Sequence, residues 1–380
     1  MPETRIRSLT RLRPWNLAVA LCLLYCLAVI AANDGDPLAL VTIGTRFSEG
    51  LDEETGTEGY DGQFVYFIAR DPASAPDAIA AGGDVPAYRF QRILLPALGM
   101  VLSLGQEPLI PWALLLVNLF ALGAGTALLE SMLREYNMSR WYAVGFALSL
   151  SIFGTVRLSL PEPLAYALAL GGLALAQRER WAWSALLFAL GGLAKETALV
   201  FPAAVGVYLL WRRQWVMALS FGVIAGLPFV LWQGALIAWF GEPGVGSGGA
   251  LATPFEIIPF AGVARILTEG SPVVFLIFLA LLGPFVLLPT LWGLLWSWRA
   301  LRQRRVNLVT LLLLFNAGVM LFVPFSTYRE PLGILRFIAG LQIAVILFAA
   351  QQGSQRTLRY STIWFMTMLF LLGSDFMAGE

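Results

Sequence analysis

WNLAVALCLLYCLAVIAANDGD, residues 15–36, decides how the rest of the chain is read. Its first eighteen residues carry no charge and stop abruptly at Asn33-Asp34-Gly35-Asp36. A helix of that length rises about 27 Å, close to the thickness of the hydrocarbon layer of a bilayer. Arg5, Arg7, Arg11 and Arg13 stand before it, and Ala31-Ala32 resembles the small-residue site at which a signal peptide is cut. The run is longer than a usual signal core and many apolar segments follow it, so residues 15–33 are read as an uncleaved first membrane span after a cytoplasmic stretch 1–14.

Outward from that stretch, residues 34–92 are polar and hold eleven acidic residues against four arginines. Beyond residue 110 the sequence is mostly lipid-soluble. Hydrophobic residues make up 58% of the 380 and charged residues 13%, about half the charged content of a soluble domain. This is the composition of an all-α polytopic membrane protein. The net charge of +1, with basic residues dispersed in small groups, excludes nucleic-acid binding. There is no histidine and a single lysine, Lys195, which removes histidine bases, Ser-His-Asp triads and histidine metal sites. Cys22 and Cys26 lie one turn apart on the first span and carry no metal or redox signature.

Hydropathy places further spans near 110–131, 141–157, 162–177, 181–194, 197–211, 215–239, 271–297, 306–324, 332–350 and 361–374, about eleven crossings in all. Residues 93–104 are too short to cross and read as a re-entrant or interfacial helix. The expected organisation is therefore a first span, an extracytoplasmic loop over 34–109 and a single transmembrane bundle over 110–380. With the N-terminus in the cytoplasm, sixteen of the 25 basic residues and only four of the 24 acidic ones fall inside. Letting 93–104 cross would invert every later loop and destroy that separation. The C-terminus is then extracytoplasmic, and the membrane is expected to be a bacterial plasma membrane.

The ionisable residues that are hard to explain all fall on the outer side. Asp61 and Glu58 sit in the first loop, in Gly59-Tyr60-Asp61-Gly62-Gln63. Arg89 and Arg92 close it, in Tyr88-Arg89-Phe90-Gln91-Arg92. Arg157 and Glu162 mark the next outer turn, Lys195 and Glu196 the third, and Tyr328, Arg329, Glu330 and Arg336 a late one. A charge at membrane depth costs at least ~2.5 kcal/mol, so such residues pair or line a cavity. A carboxylate base with fixed cations suits group transfer from a phosphate-bearing lipid: the carboxylate takes a hydroxyl proton while Arg and Lys hold the departing phosphate.

Each residue also has a plainer reading. Asp61-Gly62 is either a base framed by the interfacial aromatics Tyr60, Phe64 and Tyr66, or a simple turn. Asp34-Gly35-Asp36 offers two carboxylates to a divalent cation, or is a solvated turn. No metal or other cofactor is otherwise called for. Asp52, Glu53, Glu54 and Glu58 serve solvation. Lys195-Glu196 and Arg329-Glu330 can each be local ion pairs.

A long acidic loop after the first span, the short spans over 141–211, the break Ala194-Lys195-Glu196-Thr197 and the late turn Tyr328 to Arg336 together resemble the C-type membrane glycosyltransferase superfamily. Its members include protein O-mannosyltransferases, aminoarabinose transferases and oligosaccharyl transferases. The two loop motifs are similar to those of bacterial membrane proteins of this general type. The resemblance implies a polyprenyl-phosphate-linked sugar donor, an extracytoplasmic acceptor hydroxyl or amide, and inversion by direct displacement. It carries the base role to Asp61, with Asp34 or Asp36 in reserve. The better-known pattern has an acidic pair directly after the first span, where this chain has Asn33-Asp34-Gly35-Asp36. Arg92, Lys195 and Arg336 are expected on the lipid phosphate, with Arg89, Glu162, Glu196, Tyr328 and Arg329 completing the substrate site. Acceptor recognition falls to loops or to a membrane protein partner. A transporter and a non-catalytic subunit or scaffold are the rival classes; the absence of an inverted repeat speaks against transport.

Overall fold

The computed structural model describes residues 12–44, 57–248 and 252–372, all helices, turns and loops apart from one antiparallel bridge between Ile43 and Gly59. The acidic residues Asp52, Glu53 and Glu54, like Arg5, Arg7 and Arg11, lie outside the described residues.

Helix α1, Pro14–Ala32, opens on a proline at its first position, where no N–H is missed. It ends because Asn33 turns its side chain back onto Val29 O and because Asp34 and Gly35 adopt left-handed backbone, φ 55° and 80°. Four short helices follow: α2 Gly62–Arg70, α3 Ala75–Ala81, α4 Pro86–Phe90 and α5 Leu94–Leu102. The sequence presents this stretch as a large water-facing loop. Its described part is instead a packed helical layer, because Phe64, Tyr66, Ile68, Ile79, Phe90 and Leu95 form an apolar core with Leu114 and Leu236. Phe90 alone, fully buried, contributes about 2 kcal/mol by leaving water. It meets the rings of Trp239 and Phe240 at 5.1 and 5.3 Å, and its carbonyl accepts the Trp232 indole N–H at 2.9 Å. At nine residues α5 is about 13 Å long, in keeping with a helix that does not cross.

The bundle follows as α6 Ile110–Glu135, α7 Glu162–Gln177, α8 Trp181–Ala194, α9 Val200–Trp211, α10 Trp215–Phe240, α11 Ala261–Glu269, α12 Pro272–Leu282, α13 Leu288–Arg302, α14 Leu308–Val319, α15 Phe325–Arg329, α16 Pro331–Phe337, α17 Ala339–Gln351 and α18 Gln355–Ser361. Among the described residues, length and composition qualify four stretches to cross: Pro14–Ala32, Glu107–Glu135, Trp215–Phe240 and Pro272–Arg302. A fifth candidate is the pair α16 and α17, bent by 43°. The other expected crossings rest on shorter helices such as α8 and α14, 14 and 12 residues, which reach only about 21 and 18 Å. α10 has 17% of its apolar window buried and shows most of its surface to the surroundings, as a lipid-facing helix does.

Residues 141–157, expected as a span, are a chain of short turns including a π-turn at Leu150–Gly154. The hydroxyls of Ser149 and Thr155 bond carbonyls three or four residues back, and Ser149 and Ser151 both reach Gln342 Oε1, at 3.2 and 3.0 Å. Backbone this irregular is tolerated because protein, not lipid, surrounds it.

The contacts sort the turns into two ends. At one, Glu130 accepts the Trp15 N–H at 2.7 Å, Arg178 pairs with Glu135, Arg212 with Glu179, and Tyr142 bonds Gln355. At the other, Arg157 donates to Ala39 O, and the ends of α7, α8, α9 and α16 meet α2 and α4 through ion pairs.

Candidate functional site

Asp61 sits immediately before α2, and its position is fixed by the base of the loop that precedes it. Tyr60 N–H donates to Thr42 O at 2.9 Å. Gln63 bridges the two loop ends, accepting the Gly44 N–H and donating to Glu58 O, both at 2.9 Å. A Cβ on Gly62 would stand 2.3 Å from Leu158 O and 2.9 Å from Val41 O, so only glycine lets α2 start this close to its neighbours.

Two arginines from opposite directions hold the Asp61 carboxylate. Arg89, on α4, donates Nη1 to Oδ1 at 2.8 Å; Arg336, in the last turn of α16, donates Nη1 to Oδ2 at 2.9 Å. Arg89 is steadied by Asp84 through Nε at 3.0 Å and by the Phe64 ring beneath its guanidinium at 4.1 Å. Arg336 lies 5.0 Å over the Tyr60 ring, whose hydroxyl donates to Glu330 at 3.1 Å. Burial pushes the Asp61 carboxyl up, but the guanidinium groups of Arg89, Arg336 and Arg92 outweigh it and hold the group well below the usual carboxylate range.

A second pair closes the same space. Arg92 grips Glu196 at 2.9 and 2.7 Å and also donates to the Tyr88 hydroxyl. Lys195, in extended backbone after α8, donates to Glu162 Oε1 at 2.6 Å, and Arg336 Nε stands 3.9 Å from that oxygen. The two neighbours Lys195 and Glu196 therefore do not pair with each other; the break turns them in different directions. Asp61, Arg89, Arg92, Glu162 and Arg336 line one notch, walled by Phe64 and Pro161, with room for about one water molecule as it stands. Three guanidinium groups around one notch can receive phosphate oxygens, and the carboxylate between them can receive a proton.

Asp61, Arg89, Arg92, Glu162, Lys195, Glu196 and Arg336, predicted from separate parts of the sequence, are thus brought together. The others are not. Asp34 and Asp36 stay on the exposed turn after α1, where Asp36 caps the turn by accepting the Leu38 N–H at 2.9 Å. Among the described residues no group of three or more carboxylates or cysteines is placed to hold a metal. Tyr328 is buried, donates to Met320 O at 2.7 Å and meets Phe278 edge-on, a packing role. Arg329 is exposed beside the Phe325 ring, and its neighbour Glu330 turns to Tyr60. Arg157 ties the turn after α1 by donating to Ala39 O at 3.1 Å. Asp84, Tyr60 and Tyr88 belong to the site but were given no role in it from sequence, and Glu330, singled out with the late outer turn, reaches it through Tyr60. The two tyrosines lie inside the quoted motifs, and Asp84 precedes Arg89 by five residues.

A family model, Glycosyltransferase family 87, matches residues 95–327, more than half of the chain. No curated protein and no solved structure matches. The matched region contains Glu162, Lys195 and Glu196, whereas Asp61, Arg89, Arg92 and Arg336 flank it. The chain belongs to glycosyltransferase family 87, a polytopic membrane glycosyltransferase family of the C-type fold.

Proposed function

We propose that this membrane glycosyltransferase moves a sugar from a polyprenyl-phosphate-linked donor to a hydroxyl or amide acceptor on the extracytoplasmic face of a bacterial plasma membrane, with inversion, and that Asp61 is the base. The chain then lies with its N-terminus in the cytoplasm and its C-terminus outside. The acceptor oxygen or nitrogen attacks the anomeric carbon, the bond from that carbon to the phosphate oxygen breaks, and its electron pair leaves with the lipid phosphate. The acceptor proton goes to Asp61.

The observation that carries this reading is the carboxylate of Asp61 held between Arg89 and Arg336. During transfer one unit of negative charge leaves Asp61 and one appears on the phosphate. Cations that neutralise the base beforehand are then in place to neutralise the leaving group, which is what electrostatic catalysis needs. Arg92 adds a third guanidinium to the notch, and Lys195 stands behind it, holding Glu162. Paired with Arg89 and Arg336, Asp61 is a weak base; a phosphate that draws the arginines off restores its basicity.

The test is transfer from a radiolabelled polyprenyl-phosphate sugar in proteoliposomes. Asp61→Asn is expected to lower turnover about 100-fold or more, with the lipid still bound, because proton transfer is lost while the arginines are freed for phosphate. Full transfer by both Asp61→Asn and Asp34→Asn overturns the base assignment. Flux of a solute into sealed vesicles without glycosyl transfer supports a transporter instead.

A further inference from the structure

Glu162 and Arg336 each carry an unmet hydrogen-bonding atom in the same notch. Glu162 is fully buried at the start of α7; its Oε1 is taken by Lys195, and its Oε2 receives no hydrogen bond from another residue. Arg336 gives Nη1 to Asp61, and its Nε–H, also buried, has no acceptor within bonding distance. A buried carboxylate oxygen without a donor and a buried guanidinium N–H without an acceptor are each costly, and retained cost at a site points to a ligand that relieves it. The group that relieves both at once offers one donor and one acceptor, and a hydroxyl has both.

We propose that Glu162 Oε2 and Arg336 Nε together bind one hydroxyl of the donor sugar, so that Glu162 sets which sugar is accepted. The inference rests on the lipid-phosphate reading of the site. Arg336 is then the hinge of recognition, with Nη1 toward the base and Nε toward the sugar, while Lys195 fixes the Glu162 carboxylate in one orientation. A site built to bond a substrate hydroxyl rejects an analogue lacking it far more strongly than an apolar pocket rejects a missing methylene. The notch, with room for about one water molecule, has to widen for a sugar to enter.

Three sets of ligands test this on the full chain in nanodiscs by equilibrium binding: farnesyl phosphate, its gluco-, manno- and galacto-configured monosaccharide esters, and monodeoxy versions of the tightest ester. The wild type is expected to bind one ester more tightly than farnesyl phosphate and to lose on the order of 10-fold in affinity at a single deoxy position. Glu162→Gln, which puts an amide on the carboxylate, is expected to bind that ester on the order of 10-fold more weakly relative to farnesyl phosphate, to ignore the same deoxy change and to bind farnesyl phosphate no more weakly than the wild type does. A deoxy series without any sensitive position overturns the proposal on the wild type alone, whatever the variant does to folding. Equal weakening of ester and farnesyl phosphate by Glu162→Gln overturns it too, since that is a structural effect. If the wild type binds neither probe, the lipid-phosphate reading itself falls, and this inference with it.

Discussion

Arg92 and Glu196, 104 residues apart, meet in a two-pronged bond, Nε to Oε2 at 2.9 Å and Nη2 to Oε1 at 2.7 Å. The contact joins the residues after α4 to the break between α8 and α9, so that the layer before the bundle and the helices within it share one polar surface. Planar bidentate geometry of this kind is specific to arginine.

Removing one partner of the pair leaves the other charge poorly hydrated. Arg92→Ala and Glu196→Ala are each expected to destabilise the detergent-solubilised protein by about 2 to 4 kcal/mol, and the double variant by less than the sum of the two. Lys at position 92 is expected to restore little, because a point charge does not replace the fork. A thermal or denaturant double-mutant cycle measures the coupling; strict additivity would mean that the bond contributes nothing to stability.

The second expectation concerns pH. Asp61 is held below the usual carboxylate range, so its folded-state pKa lies under its unfolded one, roughly 3.9. Its contribution to stability is therefore present above that unfolded value and is lost only as pH falls through the depressed one. The wild-type enzyme should show no acid limb in kcat/KM from Asp61 between about pH 4.5 and 8. Arg336→Met removes one of the two cations on the carboxylate, so the group moves up and an acid limb should enter the measurable range, alongside a lower maximal rate. A variant profile parallel to the wild type's would show that Arg336 does not control the ionisation of Asp61.

Gly62 offers a test of position without a change of charge. A methyl there meets Leu158 O and Val41 O, both backbone atoms that cannot swing aside, and so Gly62→Ala must displace the start of α2 and Asp61 beside it. Turnover is expected to fall by roughly 10- to 100-fold while the protein still folds and binds the lipid phosphate. Loss of lipid binding in equal measure would place the damage in the fold and not in the aim of the carboxylate.

Much of this was legible in the residues. The apolar run at residues 15–32 became Pro14–Ala32, and 181–194 became a helix with those same ends, because an uncharged stretch bounded by polar turns leaves little choice of boundary. The site residues were legible one at a time, since a charge next to an apolar helix has to be explained. Their partners were not: Lys195 pairs with Glu162 and Glu196 with Arg92, and neither pairing follows from adjacency in the chain. Residues 141–157 do run from the Tyr142 end to the Arg157 end, but hydropathy gave no sign of their broken backbone, because it cannot tell a surface facing lipid from one facing protein, and Gln342 lies almost 200 residues away from the serines it satisfies. Hydropathy also understated the layer α2 to α5, whose short apolar helices are separated by enough polar residues to look like a solvated loop.

The side of the membrane on which the site opens can be decided by cysteine labelling, with almost no background. Cys22 and Cys26 are both buried and should not react with a membrane-impermeant maleimide in intact cells or vesicles. Ser74, exposed between α2 and α3, belongs to the same layer as Asp61 and Arg89; Ser139, exposed after α6, belongs to the opposite end with Glu135 and Arg178. Ser74→Cys is expected to label from outside the cell, and Ser139→Cys only after the membrane is opened, since Arg13, Arg134, Arg140, Arg178 and Arg212 gather at the Ser139 end and loops rich in Lys and Arg stay in the cytoplasm. The reverse pattern would put the cavity in the cytosol. There it would face nucleotide sugars instead of lipid-linked ones, and both the donor class and the role given to the three arginines would have to be abandoned.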